Sequence, residues 1–434
     1  MRYSALQKGT DMHHRLLAVL LIGIALGVPG AGAWSTAGAQ GHWFEVYFSQ
    51  VNADPVPAQA NPHSIDRILA QKLTQAQTSI DAAMHEIDSE RLAKALIQAF
   101  NRGVQVRIVT EHDYADEPAI QDIQAAGIPV VTDAGRSGLM HNKFVVIDGR
   151  YVWTGSYNAT DNDAYKNNNN AIWVDSPQLA ANFTQEFLEM FQARQFGVNS
   201  PAPLPHPVVA MPDGTRIFTY FAPENTVDTV LAAHLREARD SIVFLAFAFT
   251  HDGLGEIIRE RFRAGVQVRG VFETRGANVS HSEYPHMRDA GLPVAQDTNP
   301  WSLHHKVMII DGHTVVTGSF NFSRNAAQTN DENLLIVVGN REIARLYMEE
   351  FARLTGTTAA QPVQTSALLN PTDPLPINTA TQEEIERLPG IGPVIARRII
   401  AGRPYRTLKD LERVPGLGTR KIEEIKGQIT FREP

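Results

Sequence analysis

Apolar and polar positions fall into two long stretches with the same rhythm. Short apolar runs alternate with amphipathic stretches, first from Trp43 to residue 200 and again from 208 to 356. VYFSQ (46–50) answers TYFAP (219–223), and the span from Ser79 to Arg107 answers that from Ser241 to Arg269. Ala126-Gly127-Ile128-Pro129-Val130 answers Ala290-Gly291-Leu292-Pro293-Val294. Each half is predicted to run strand, helix, apolar strand, helix, GVQVR strand, helix, AG-[IL]-PV strand, then a hairpin. Such alternation implies an α/β fold with a mixed, largely parallel sheet flanked by helices in each half. The run IVFLAFAF (242–249) reads as buried strand rather than as a ligand-lining surface.

The hairpin carries the chemistry. His141-Asn142-Lys143 leads through FVVIDGRYVWTGSYN to Asn158, and His304-His305-Lys306 leads through VMIIDGHTVVTGSFN to Asn321. His141/His304, Lys143/Lys306, Asp148/Asp311, Ser156/Ser319 and Asn158/Asn321 are matched at a constant offset of 163, an internal repeat. An apolar run, Asp-Gly, and a second apolar run describe two buried strands joined by a turn. Side chains alternate along a strand, so His and Lys two positions apart face the same way and converge on one small volume. Ser and Asn near the end of the second strand return towards it. Lysine is a poor metal ligand, so His-x-Lys argues against a zinc site and suits a phosphate group. His305, in the spacer position, is predicted to face the opposite side.

These motifs, His-x-Lys-x4-Asp followed by Gly-Ser-x-Asn twice in one chain, resemble those of the phospholipase D superfamily over residues 43–356. The resemblance implies two halves related by a pseudo-twofold axis, with one active site between them and no metal or other cofactor. One histidine attacks phosphorus to give a phosphohistidine and the other protonates the leaving oxygen, while lysines and amides hold the phosphoryl oxygens. Asp148 and Asp311 are implied to be structural partners in their hairpins. A single chain with both motifs needs no dimer for catalysis.

After each hairpin lies a polar stretch in which Asn170 matches Asn333 and Asn169 falls opposite Glu332. In the family this region supplies an acidic residue that orients the catalytic histidine. Glu332 fits and Asn169 departs from the pattern. A carboxylate beside His304 favours its protonated form, and an amide beside His141 leaves that ring neutral. Attack is therefore assigned to His141 and proton donation to His304, the family's usual order. His85-Glu86 and His251, just past the corresponding strands, are candidates to line the cleft.

The ends of the chain are different in kind. Residues 1–39 pair His13, His14 and Arg15 with the apolar run LLAVLLIGIALGV and A-x-A sites, the pattern of a secretory signal peptide. Export to the periplasm or the cell exterior is expected, with an uncleaved membrane anchor as the alternative and Met12 as an alternative start. PAPLPHP (201–207) connects the halves, and residues 357–375 form a polar, proline-containing linker. Residues 376–431 then hold two Pro-Gly-x-Gly turns, each followed by a predicted helix, with Thr381 and Glu384 as a capping box. This module resembles the tandem helix–hairpin–helix domain of competence-type DNA receptors. The resemblance implies sequence-independent binding of duplex DNA through backbone N–H groups at helix starts. Gly390, Gly392, Gly416 and Gly418 would form the turns, with Arg397, Arg398, Arg420 and Lys421 near the phosphates. GIGP lacks the third glycine and the preceding strand of a dinucleotide fingerprint.

Composition narrows the picture a little further. The chain of 434 residues has no cysteine, which excludes disulfides, thiolate metal sites and a lipid-modified N-terminal cysteine. Residues 377–432 carry eleven Lys and Arg against seven Asp and Glu, a net +4 in a chain whose total is −8. A basic tail on an acidic body suits non-specific DNA affinity, and tethering raises the local concentration of DNA at the cleft. The expected activity is an exported, metal-independent DNA phosphodiesterase. The alternative is a phospholipase D acting on phosphatidylcholine or a related phospholipid.

Overall fold

The computed structural model describes residues 43–51, 55–200, 203–357 and 374–431, except 379, 381–384, 386–387 and 390. The signal-peptide segment, the Thr381–Glu384 capping box and Gly390 lie outside the described residues.

The first half contains β1 (Phe44–Phe48), α1 (Pro55–Ala60), α2 (Ile65–Gln75), β2 (Ser79–Met84), α3 (Glu90–Asn101), β3 (Gln105–Thr110), α4 (Pro118–Ala125) and β4 (Val130–Thr132). The motif hairpin follows as β5 (Lys143–Ile147) and β6 (Tyr151–Gly155), then α5 (Asp161–Tyr165), β7 (Asn167–Asn168), β8 (Asn170–Asp175) and α6 (Pro177–Phe191). The second half repeats this as β9 (Val208–Ala210), β10 (Arg216–Ala222), α7 (Val227–Glu237), β11 (Ser241–Ala246), α8 (Asp252–Arg263), β12 (Gln267–Phe272), α9 (Thr274–Ala277), α10 (Glu283–Asp289) and β13 (Val294–Gln296). It closes with β14 (Ser302–Leu303), β15 (Lys306–Ile310), β16 (Thr314–Gly318), α11 (Arg324–Gln328), β17 (Glu332–Val338) and α12 (Arg341–Thr355).

Both sheets are mixed. The first runs β1-β8-β6-β5-β2-β3-β4 and the second β13-β12-β11-β15-β16-β17-β10-β9. Parallel pairing is confined to β2-β3-β4 and to β11-β12-β13, and every other ladder in these two sheets is antiparallel. The expectation of a largely parallel sheet is corrected here. The hairpin and its return strand insert beside β2 or β11, and short connections of that kind force antiparallel neighbours.

The turn chemistry explains the hairpins. Asp148 and Gly149 both have positive φ, 55° and 59°, as do Asp311 and Gly312 at 51° and 62°. Two consecutive left-handed residues make a type I′ turn, for which Asp-Gly is suited. Asp148 also ties the turn to β2, accepting from the backbone N–H groups of Gln77, Thr78 and Ser79 at 2.7–3.0 Å. Asp311 does the same with Arg239, Asp240 and Ser241.

Three apolar cores fill the two halves. Outer cores lie between each sheet and its covering helices, among them Leu69, Leu96, Ile108 and Trp153 in the first half and Leu231, Phe244, Ile258 and Met308 in the second. A central core is common to both. There Phe144, Phe183, Phe187 and Met190 meet Phe221, Leu335, Tyr347 and Phe351. The rings of Phe144, Phe183 and Phe221 pack edge-to-face at 5.0 and 5.2 Å, joining β5 through α6 to β10 of the other half. Each such buried ring contributes about 2–3 kcal/mol of transfer free energy. The two halves therefore fold as one body.

The tail has its own small core of Ile377, Ile385, Ile399, Tyr405, Leu411, Leu417 and Ile425. Its helices are α13 (Pro393–Ala401), α14 (Leu408–Leu411) and α15 (Thr419–Ile425), and Leu375–Pro376 pairs in parallel with Ile429–Thr430. Gly392 precedes α13 and Gly418 precedes α15, neither with a side-chain cap. Gly416 has φ 88°, which favours glycine.

Candidate active site

The two motifs meet across the pseudo-twofold axis, and the exchange between halves is literal. The N–H of His141 donates to Asp331 O at 2.9 Å, and that of His304 donates to Asn168 O at 2.9 Å. β7 pairs in parallel with β14 at the second junction, and Met140 bridges to Asp331 at the first. Each histidine is thus fastened to the opposite half.

Its orienting partner comes from there as well. His141 Nδ1 lies 2.7 Å from Glu332 Oε2, and His304 Nδ1 lies 2.9 Å from Asn169 Oδ1. The linear offset had paired Glu332 with His304 and Asn169 with His141, and the structure crosses them. The reason is geometric. β8 and β17 end at the axis, so the residue that begins or precedes each strand faces the neighbouring half rather than its own.

The serines stand behind these partners. Ser319 Oγ donates to Glu332 Oε2 at 2.6 Å, and Ser156 Oγ donates to Asn169 Oδ1 at 2.8 Å. Their hydroxyls orient the groups that orient the histidines, a different place from the shared volume anticipated for Ser156 and Ser319. The preceding glycines are required. A Cβ on Gly155 would fall 2.3 Å from Asn170 O, and one on Gly318 would fall 2.3 Å from Asn333 O.

Both lysines are buried, with Lys143 Nζ donating to His141 O at 2.9 Å and Lys306 Nζ to His304 O at 2.8 Å. The side-chain oxygens of Asn158 and Asn321 are buried and lack a hydrogen-bond partner. Either amide is free to turn its NH2 to an anionic oxygen.

With Nδ1–H given to Glu332 or Asn169, the Nε2 of each histidine carries a lone pair. Burial, then Lys143 and Lys306, hold His141 well below its ordinary pKa, and burial, Lys306 and Lys143 do the same to His304. Burial also lowers Lys143 to about 8 and raises Glu332 to about 8 against the pull of Lys143. Burial, then Lys143, hold Lys306 well below its ordinary value too, so two neutral imidazoles lie beside amines whose positive charge an anionic guest favours.

Each catalytic imidazole is walled by an aromatic ring that follows β2 or β11. His85 packs at 4.8 Å from His141, and Phe247 at 4.7 Å from His304. His85 is held by Nδ1 donating to Met140 O at 3.0 Å, so it does reach the site. Glu86 beside it is pushed up to about 7 by burial and by Asp88. His251 does not reach the site, since its ring caps α8 at Leu254 and faces Asp228. Sequence reasoning missed Asp163, whose Oδ2 lies 3.5 Å from His304 Nδ1 and accepts from Asn158 N at 2.8 Å. Its counterpart by offset is Ala326, so the repeat gave no signal.

In the tail, Arg397 and Arg398 are both exposed, and Arg398 also donates to Pro415 O at 2.9 Å, bracing one turn against the other. Lys421 reaches Gly416 O at 3.5 Å, and the side chain of Arg420 lies outside the described residues. Among the described residues no cluster of His, Asp and Glu has the arrangement of a metal site, and no helix is long and apolar enough to cross a membrane.

Comparison with known proteins sets this site in context. A family model described as cardiolipin synthase, PLD-like domain matches residues 69–191 and again 231–355. A helix-hairpin-helix motif model matches residues 373–430. Human mitochondrial cardiolipin hydrolase is 36% identical over 131 residues, 30% of this chain and 51% of that protein. The chain spans about half the length of that relative. A phospholipase D of Rickettsia prowazekii is 26% identical over 177 residues, 41% of this chain and 85% of that protein. The crystal structure of phosphatidylserine synthase from Haemophilus influenzae shares the fold, with a TM-score of 0.54 at 12% identity over 71% of this chain and 86% of that one.

Proposed function

Because the chain belongs to the phospholipase D-like family, whose domain it carries twice, we propose that it hydrolyses phosphodiesters through paired histidines and that its substrate is DNA. His141 Nε2 attacks phosphorus and the bond to the leaving oxygen breaks, giving a phosphohistidine. The ring then bears positive charge, and Glu332 at 2.7 Å, whose carboxyl is pushed up to about 8 by burial in the free site, ionises beside that charge and balances it. This replaces the earlier reason for giving attack to His141. The carboxylate belongs to the nucleophile because it stabilises the charge created by attack. His304, protonated at Nε2 once the bound phosphodiester anion offsets the lysine charges, gives that proton to the leaving oxygen, then takes one from water as that water attacks the phosphohistidine. Lys143, Lys306, Asn158 and Asn321 hold the phosphoryl oxygens. The donor set of imidazole and ammonium groups suits this route without a metal ion.

The observation that carries the DNA reading is the tail. Its helices α13 and α15 each follow a Pro-Gly-x-Gly turn whose last glycine carries no side chain over the helix start, and Arg397 is exposed on α13. Phosphate contacts from such an element read no bases, so binding is non-specific, and the linker keeps DNA near the cleft. A phospholipid remains the second reading, favoured by the cardiolipin hydrolase and phospholipase D names of the relatives. The apolar N-terminal segment favours export.

The deciding experiment gives residues 43–434 plasmid DNA and phosphatidylcholine vesicles in parallel, both with EDTA. DNA cleavage that persists in EDTA and disappears in His141→Ala supports the nuclease. Headgroup release with intact plasmid moves the chain to the lipases.

A further inference from the structure

The halves differ most in what lies behind the catalytic histidines. α6 and α12 begin at the equivalent caps Ser176 and Asn340, so residues in the two helices correspond at an offset of 164. His305, Tyr347 and Arg353 in the second half then stand where the first has Asn142, Phe183 and Glu189, while Glu350 answers Glu186.

In the second half these residues form a chain of hydrogen bonds that ends at His304. Arg353 donates to both oxygens of Glu350 at 2.7 Å. His305 Nε2 lies 3.0 Å from Glu350 Oε1, and both residues are fully buried. Asn170 Nδ2 lies 3.0 Å from His305 Nδ1 and donates to Ser156 Oγ at 3.2 Å. Ser156 donates to Asn169 Oδ1, which faces His304 Nδ1.

Every link has one polarity. Asn170 sets its Oδ1 2.7 and 3.1 Å from the hydroxyls of Thr317 and Tyr347, which donate to it, and its NH2 towards His305 and Ser156. His305 Nδ1 is therefore unprotonated, and its Nε2–H goes to Glu350. Ser156, receiving N–H groups from Asn170, has its proton left for Asn169. Asn169 Nδ2 donates to Asp163 O at 3.2 Å on the far side.

Behind His141 the same links run from Asn333 through Ser319 to Glu332, but they end at Asn142 and reach no buried ion pair. Asn142 Nδ2 meets only Met190 Sδ, at 3.9 Å, besides the Asn333 amide on its oxygen. Glu186 faces a second carboxyl, Glu224. His141 has less need of one, because Glu332 contacts it directly and a carboxylate presents acceptors at both oxygens. Asn169 has two unlike ends. Turned over, it would set NH2 against Nδ1–H and disfavour the imidazolium on which proton donation depends.

We propose that His305, Glu350 and Arg353 are positioning residues that hold Asn169 with its oxygen towards His304 and so keep His304 competent as the acid. The inference rests on the reading of His304 as the proton donor.

The test separates leaving groups that need a proton from one that does not. The unaltered enzyme, His305→Asn and Glu350→Gln are assayed on thymidylyl-thymidine, whose leaving group is an alcohol, and on thymidine 5′-(p-nitrophenyl phosphate). The p-nitrophenolate burst reports the first step alone. Glu350→Gln/Arg353→Met, which removes both charges together, guards against a fold failure from an unpaired arginine. In each variant kcat on the alcohol ester is expected to fall about 10- to 100-fold with KM nearly unchanged, while the burst rate stays near that of the unaltered enzyme. Parallel losses on both substrates, or no loss on either, overturn the relay. His304→Ala is the reference. If it too loses both substrates alike, the acid role of His304 fails first, whereas a leaving-group effect in His304→Ala alone sinks only the relay.

Discussion

His141 of the first half and Glu332 of the second share a hydrogen bond of 2.7 Å, with the carboxylate wholly buried. Glu332→Gln keeps the shape and removes the charge that balances a phosphorylated imidazole. The first-step rate is expected to fall by about 100-fold or more, as when the carboxylate of a catalytic triad becomes an amide. Burst kinetics with a p-nitrophenyl diester measure it. A rate within a few-fold of normal would mean that Glu332 does not serve the nucleophile.

His141→Ala and His304→Ala are each expected to abolish turnover while leaving the thermal unfolding midpoint nearly unchanged, since both rings lie at the floor of the cleft rather than in an apolar core. A phosphoryl label from substrate should be retained on the protein only where His141 is present. Labelling of His141→Ala would reverse the two roles.

The free site holds its imidazoles neutral, and a bound phosphodiester anion offsets the lysine charges that help to do so. A histidine whose pKa is depressed when free and restored when bound takes up a proton on binding. Affinity for a non-hydrolysable phosphonate monoester is therefore expected to weaken as pH rises towards about 6.5, by up to about tenfold per unit, and to level off above it. Calorimetry in buffers of different ionisation enthalpy reads the proton count directly. An affinity independent of pH would contradict it.

Asp148 binds the backbone of β2 from its turn. Burial opposes its charge, but the N–H groups of Thr78, Ser79 and Gln77 outweigh that and hold its pKa below the ordinary value; Asp311 behaves alike. Asp148→Ala is expected to cost about 0.5–1.5 kcal/mol in urea unfolding at pH 7, because water takes the place of the carboxylate on donors that are exposed or half-buried. A carboxylate with a depressed folded pKa contributes fully above the unfolded value near 3.8 and loses that contribution as pH falls through the folded one. The difference between Asp148→Ala and the unaltered chain is thus expected to shrink only below about pH 4.

Removing residues 358–434 is expected to weaken DNA binding and flatten its salt dependence by about one logarithmic unit per lost phosphate contact, with hydrolysis of a small diester unchanged. Fluorescence anisotropy across a salt series measures the first and a p-nitrophenyl assay the second. Loss of the small-substrate activity would make the tail part of the catalytic body.

Much of this was legible in the chain. The repeat announced two equivalent halves, and the Asp-Gly pairs announced two hairpins, because local turn chemistry and strand alternation are properties of short segments. What a linear offset lacks is the direction in which an equivalent residue faces. Asn169 and Glu332 are equivalents, yet only the meeting of β8 and β17 at the axis shows that each serves the other half's histidine. β8 and β17 were also missed as return strands, and with them the antiparallel majority of the ladders. Arg398 was named as a phosphate contact because it is basic and follows a turn, and it is exposed as that role requires. Its use on Pro415 O is a tertiary fact with no local signature. His305 was rightly set on the face away from the chemistry, but its bond to Glu350 depends on a helix that begins 36 residues later.

The backbone bonds from His141 to Asp331 and from His304 to Asn168 have one further consequence. They stitch the floor of the cleft at two points across the axis, on either side of the reacting phosphorus, and the Phe144–Phe183–Phe221 stack ties the halves together beneath. An enzyme whose halves are joined in this way has little freedom to close one half upon the other. It meets its substrate as a fixed anvil, and the bending required to bring a phosphodiester onto two opposed imidazoles falls on the substrate. Discrimination among phosphodiesters then follows how readily each one bends onto the two imidazoles.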